Sequence, residues 1–220
     1  MTILITGANR GVGLALATLA ASKGETVIGT YRGSARPTVP DVDWQSLEVT
    51  QPDAHHALAK RLADRPLSLL VCNAGVYLEK GQSLEGGYAK PLWDDTFAVN
   101  VTGVFLTIQA LLPQLRAGNG KIAIISSQMA SDTTAPGGSY IYRASKAAAL
   151  NLGRNLASDL KREKIAVGIY HPGWVQTDMG GSSADITVEQ SAKGLMQRFS
   201  SLSLATTGCF ETWDGTAHPY

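Results

Sequence analysis

Apolar residues in this chain come in short blocks, separated by stretches in which they recur at helical spacing. The blocks "TILIT" (2–6), "ETVIGTYR" (25–32), "SLEV" (46–49), "LSLLVCNAG" (67–75), "GKIAIISS" (120–127), "IAVGIYHPG" (165–173) and "GCFETW" (208–213) read as strands. A helix is predicted over 11–24, stopping at Gly24, and a second from a capping box at Thr50 and Asp53 to about Asp64. A long helix should run from Pro91, in its first turn, to about Arg116, and another from Ser139 to about Arg162. A capping box of Thr187 and Gln190 opens the last, to about Ser200.

The runs "LSLLVC" and "KIAIIS" lack polar alternation, as strands covered on both faces do. Strands and helices in regular alternation imply parallel strands joined by right-handed crossovers. No repeat, low-complexity segment or linker interrupts the pattern. The expectation is a single doubly wound α/β domain of Rossmann type over residues 1–220. Its parallel sheet should have about seven strands, with helices on both faces.

In such a sheet, ligands sit beyond the carboxyl ends of the strands. Those ends read "TGANRGVG", "TYRG", "EVT", "CNAG", "SSQ" and "HPGWVQT". The first is a glycine-rich strand-to-helix turn, with Gly7, Gly11 and Gly13. It suits a pyrophosphate approaching main-chain N–H groups at a helix N-terminus. An NAD site would place an acid at the end of the second strand, but Thr30, Tyr31 and Arg32 stand there. Arg32, helped by Arg10 in the glycine turn, suits a 2′-phosphate instead, which favours NADP(H) over NAD(H).

Composition narrows the class further. The chain is 44% hydrophobic and 17% charged, the balance of a globular core. With 19 basic and 18 acidic residues, it lacks the cationic excess of a nucleic-acid binder. No window is read as approaching the roughly 20 apolar residues of a membrane span. "MTILITGANRG" carries no leader signature. Cys72 and Cys209, both in apolar runs, suit a reducing compartment, so a cytoplasmic protein with no membrane partner and no metal is expected.

Together these motifs resemble the classical short-chain dehydrogenases/reductases over essentially the whole chain. "TGANRGVG" matches that family's T-G-x-x-x-G-x-G turn, "CNAG" its N-A-G motif and "VNVTG" the segment of its asparagine. "ISS" matches the serine, "YRASK" the Y-x-x-x-K pair and "HPGWVQT" the P-G loop at the nicotinamide. The stretches "SYIYRASK" and "HPGWVQTDMGG" are most similar to the carbonyl-reductase and C-factor-like branch. Two departures are a longer "QMASDTTAPGG" loop and Glu48, where the family often has aspartate near the adenine.

The resemblance implies hydride transfer between a nicotinamide cofactor and a small carbonyl or alcohol. Asn100, Ser127, Tyr142 and Lys146 would be catalytic. Cofactor contacts would come from Gly7, Asn9, Arg10, Gly11, Val12, Gly13, Tyr31, Arg32, Glu48, Val49 and the trio Asn73, Ala74 and Gly75. Tyr142, Lys146, Pro172, Gly173, Val175 and Thr177 would complete the set. Tyr142 is the expected proton donor, and a lysine ammonium nearby should lower its pKa. Ser127 would donate a second hydrogen bond to the substrate oxygen, and Asn100 would hold a water. Tyr142 and Lys146, four apart, share a helix face, whereas Tyr140 lies about 120° away. Tyr140 is therefore expected to be a bystander.

Further expectations are weaker in kind. His171 has no evident carboxylate partner, Cys72 reads as core, and Trp174 and Met179 could line the substrate pocket. "DMGGSSADITVEQ" should form a mobile flap. The resemblance also implies a homodimer or homotetramer paired through the helices near 91–116 and 139–162. The alternative function is a dinucleotide-binding signalling protein of the C-factor type with little or no turnover.

Overall fold

A computed structural model of the chain describes residues 1–33 and 36–220. The seven strands are β1 (Thr2–Ile5), β2 (Thr26–Tyr31), β3 (Val42–Ser46), β4 (Leu69–Cys72), β5 (Lys121–Ile125), β6 (Ala166–His171) and β7 (Phe210–Thr212). They form one parallel sheet in the order β3-β2-β1-β4-β5-β6-β7. The order reverses between β1 and β4, which opens a crevice at the carboxyl ends of those two strands. The doubly wound α/β expectation is met.

Side chains alternate across a strand, so each apolar run feeds two cores at once. Leu4, Leu70, Cys72, Ile122 and Ile124 join one layer, beneath α2 (Pro52–Arg61), α4 (Gly103–Ala117) and α5 (Tyr140–Leu160). Ile3, Ile5, Val71, Ala123 and Ile125 join the other, beneath α1 (Gly11–Ser22) and α6 (Val188–Ser201). All six residues of β6 are buried, which is why the run reads as continuously apolar. In α5, a Cβ on Gly153 would come within 2.6 Å of Ile169 and 3.1 Å of Ile124, so the missing side chain lets the helix lie directly on β5 and β6.

Two expectations need correction. The third strand is Val42–Ser46, not 46–49. Among the described residues it is an edge strand paired only with β2, burying Val42 and Trp44 on one side while Asp43 and Gln45 stay partly exposed. Its polar alternation hid it behind the more apolar "SLEV". Thr50 does not cap α2 either, since Glu48 Oε1 takes its N–H (3.3 Å) and its hydroxyl (3.1 Å). The helix starts one residue later, from Gln51 with Pro52 in its first turn. The capping box of α6 does form: Thr187 Oγ1 accepts from the Gln190 N–H, and Gln190 Oε1 accepts from the Thr187 N–H.

The long helix begins at Lys90 as α3 (Lys90–Phe97) and continues through a π-helical turn at Ala98–Thr102 into α4. Within Lys90–Ala117 an 18-residue window is long and apolar enough to cross a membrane, contrary to the sequence reading. In the fold, Val104, Ile108, Leu111 and Leu115 are buried in the core beside α2 and β4, which accounts for that apolar character.

Candidate active site

A cleft of about 1150 Å³ runs along the carboxyl ends of the strands. That exceeds the roughly 300–1,000 Å³ typical of small-ligand pockets. It is lined by the residues named from sequence with two exceptions, Tyr31 and Asn100. Tyr31 packs edge-on against Trp44, with ring centroids 6.5 Å apart. Asn100 is buried behind the wall, 1% exposed.

The glycine turn is built for close approach. Gly7 has φ +62°, and a Cβ on Gly13 would lie 2.4 Å from the Gly7 carbonyl and 2.5 Å from Asn73 Nδ2. Asn73 donates that amide to the carbonyls of Thr6 (3.0 Å) and Gly7 (3.1 Å). Thr6 Oγ1 accepts from the N–H groups of Asn73 and Ala74 in return. The "CNAG" segment thus locks the end of β4 to the turn after β1. The first turn of α1 has no side-chain cap and no acidic residue, leaving N–H groups free at the positive end of the helix. Free helix N–H groups, a turn that no Cβ would fit and two arginines match what a dinucleotide's phosphates need.

Both arginines already have acidic partners. Arg10 Nη1 lies 2.9 Å from Asp178 Oδ2, and Arg32 Nε lies 3.7 Å from Glu48 Oε2. All but Glu48 are well exposed, so these are weak, screened pairs.

At the other end, α5 presents Tyr142 and Lys146 to the cleft, and Ser127 follows two residues after the end of β5. Tyr140 is 39% exposed and packs edge-on against Tyr88, outside the cleft. Ser126 donates its hydroxyl to the Lys146 carbonyl at 3.0 Å. Ser127 Oγ instead accepts from the Met129 N–H (3.1 Å), which leaves its own proton to give. It lines the cleft together with the Tyr142 phenol and acts to lower its pKa.

Lys146 Nζ sits 5.6 Å from the Tyr142 ring centroid and donates to the Ile125 carbonyl at 3.0 Å. Burial pushes the Lys146 ammonium down to about 8. Burial also pushes the Tyr142 phenol up to about 12, with Ser127 pulling it down and Tyr77 and Glu79 adding to the rise. The expected acidification by Lys146 is absent here: desolvation outweighs a cation that is itself destabilised by burial.

The π-helical turn aims Asn100 at neighbouring backbone. Its Nδ2 donates to the Val76 carbonyl (2.9 Å) and to Ser145 Oγ (3.0 Å), while Oδ1 accepts from the Val76 N–H (2.9 Å). Both amide protons are engaged, so the side chain clamps the loop after β4 to α5. Such π turns recur at functional sites.

His171 and Tyr77 add to the wall, and Glu79 lies buried behind it. His171 is buried, with Nδ1 unpartnered among the described residues, and burial pushes it down to about 4. Tyr77 lays its ring against Tyr142, centroids 4.6 Å apart, and Glu79 accepts from the Tyr142 N–H at 2.6 Å. Sequence reading missed Tyr77 and Glu79, for only the short spacing from "CNAG" hinted at them.

Trp174 and Met179 both line the cleft, and Met179 Sδ stands 4.0 Å from the Tyr142 hydroxyl. The segment expected to be a mobile flap is pinned at several points. Trp174 Nε1 donates to the Gly180 carbonyl (2.9 Å), Lys80 Nζ to the Met179 carbonyl (3.3 Å) and Gln176 Nε2 to the Ala184 carbonyl (3.0 Å).

A glycine turn at the strand-order switch, facing a tyrosine–lysine helix across one cleft, defines a dinucleotide-dependent oxidoreductase site. A family model described as short chain dehydrogenase matches residues 1–186. The chain is 35% identical to 1-hydroxy-2-glutathionyl-2-methyl-3-butene dehydrogenase of Rhodococcus sp. (strain AD45), over 98% of this chain and 97% of that protein. It is 34% identical to C-signal of Myxococcus xanthus, over 74% of this chain and 99% of that protein. The NADPH-bound carbonyl reductase from chicken fatty liver shares the fold with a TM-score of 0.89 and 28% identity, over 100% of this chain and 98% of that one.

The chain belongs to the short-chain dehydrogenase/reductase family, in its carbonyl-reductase-like branch. The family's members are oxidoreductases of CH–OH and C=O groups, and its fold binds a nicotinamide dinucleotide.

Proposed function

We propose that this protein is an NADP(H)-dependent carbonyl reductase in which Tyr142 is the proton donor. The observation that carries the reading is the meeting of Ser127, Tyr142 and Lys146 in one cleft. When bound, the dinucleotide supplies the hydride; the chain supplies orientation and a proton. The phenol, pushed up to about 12, stays protonated at neutral pH, the form a donor to a developing alkoxide must have. Ser127 has a free proton for the same oxygen. The Asn100 side chain also fixes the loop at Val76.

The preference for NADP(H) rests on Arg32 and Arg10 lining the cleft where an acid would favour NAD. Exchanging an exposed carboxylate partner for a phosphate is inexpensive, so the two ion pairs do not oppose that reading. The wall of Tyr77, Met129, Trp174 and Met179 suits an apolar substituent on the carbonyl. Two unpaired thiols, Cys72 and Cys209, support a reducing, cytoplasmic setting. Phe105, 39% exposed on α4, supports pairing of two copies through α4 and α5, which light scattering would check.

The test is NADPH oxidation against aldehydes, ketones, quinones and a glutathionyl alcohol run in reverse, the last chosen after the Rhodococcus relative. Steady turnover is expected. The similarity to C-signal supports a second reading, a dinucleotide-binding signalling protein. NADPH binding with no turnover on any member of the panel would favour it.

A further inference from the structure

We propose that Glu79 is a positioning residue for Tyr142: its buried carboxylate, arriving from the loop after β4, caps α5 and fixes where the phenol sits. This rests on the reading of Tyr142 as proton donor.

The first N–H groups of a helix have no partner within it. Here Ser139 precedes α5 with φ +50° and makes no side-chain cap. Tyr142, in the first turn, gives its N–H instead to Glu79 Oε1 at 2.6 Å, across 63 residues of sequence. Glu79 is 1% exposed, and its Oε2 has no partner among the described residues. Burying a carboxylate is costly, and the positive end of α5 offsets part of that. A neutral acceptor would have capped the helix without this penalty, so the charge itself asks for a role.

The same loop grips Tyr142 a second time. Tyr77, two residues earlier, packs against its ring at a tilt and hydrogen-bonds Ser139 through its hydroxyl. Asn100 anchors the loop's start at Val76, and Lys80 ties its end to the Met179 carbonyl. The polar groups facing the phenol are Ser127 from just after β5, Lys146 from α5, and Tyr77 and Glu79 from this loop, with His171 from β6 near Lys146. Glu79 and Tyr77 both push the phenol up, which keeps it in its donating form.

Two variants separate positioning from plain capping. Glu79→Gln keeps an acceptor and removes the charge, whereas Glu79→Ala removes both. The direct readout is phenolate difference absorbance, with the Tyr142 contribution isolated by subtracting the Tyr142→Phe protein. In Glu79→Gln, Tyr142 should ionise at lower pH than in the parent. In Glu79→Ala, kcat should fall on the order of 10- to 100-fold while NADPH affinity holds. A merely structural cap would lower the melting temperature and leave the phenol's titration unmoved; that result overturns the proposal. If Glu79→Ala does not fold, the Glu79→Gln titration decides. If Tyr142→Phe keeps full turnover, the functional reading falls, while the titration still tests the coupling of Glu79 to the phenol.

Discussion

The two ends of the cleft are built on opposite principles. At the glycine-turn end, Arg10, Asp178 and Arg32 are more than half exposed, and their ion pairs lie at the surface. At the α5 end, Asn100, Ser127, Tyr142 and Lys146 are all under a tenth exposed, and burial moves both titrating groups far from their ordinary values. Exposed pairs exchange partners cheaply, so on the proposed reading that end selects the dinucleotide and tolerates revision. A buried constellation bonded through backbone does not, so on the proposed reading that end sets the chemistry and should fail abruptly when altered. One sheet supports both because its strand ends order the residues from β3 to β6 along the cleft.

Substitutions at each end should expose the contrast. Tyr142→Phe should preserve the fold and NADPH binding yet cut carbonyl reduction by about 10²–10⁴-fold. Tyr140→Phe, in the same helix but outside the cleft, should stay near the parent rate. Steady-state assays of the two would undo the assignment if they behaved alike. At the exposed end, Arg32→Asp should weaken NADPH and improve NADH, shifting their affinity ratio about 10- to 100-fold. Equal binding of both cofactors by the parent protein, in a fluorescence titration, would break that side of the comparison.

A smaller effect sharpens the buried side. Lys146, pushed down to about 8, is charged below that pH and neutral above it. Reduction measured as kcat/KM for the cofactor, which reports the free protein, should hold below about 8. Above it, the rate should fall roughly tenfold per pH unit. With Tyr142 pushed up to about 12, the phenol adds no limb before then. A profile flat to well above that range would show that the lysine charge is not needed. The smallest change is expected from Asp178→Ala, which removes an exposed ion pair. It should alter NADPH affinity by less than about fivefold, an effect fading further as salt rises.

Much of this was legible in advance where a physical constraint was local. β4, β5 and β6 announced themselves because both faces are covered and nearly every position is apolar. The four-residue step from Tyr142 to Lys146 follows from helical geometry alone, and Thr187 and Gln190 cap α6 through neighbours three residues apart. Errors arose where a distant or competing partner decided the outcome. Thr50 lost its capping role to Glu48, and β3 was displaced because an edge strand needs only one apolar side.

By itself, the sequence determined the doubly wound sheet, the glycine turn and which tyrosine shares a face with the lysine. Each depends on periodicity or on backbone geometry within a few residues. Only the tertiary structure decided that Arg10 and Arg32 meet carboxylates, that Asn100 clamps Val76, and that Glu79 and Tyr77 hold Tyr142. It also decided that burial, rather than the lysine, dominates the phenol. Desolvation and contacts between residues distant in the chain, such as the 63 positions from Glu79 to Tyr142, depend on what the folded chain places nearby, and no local pattern encodes that.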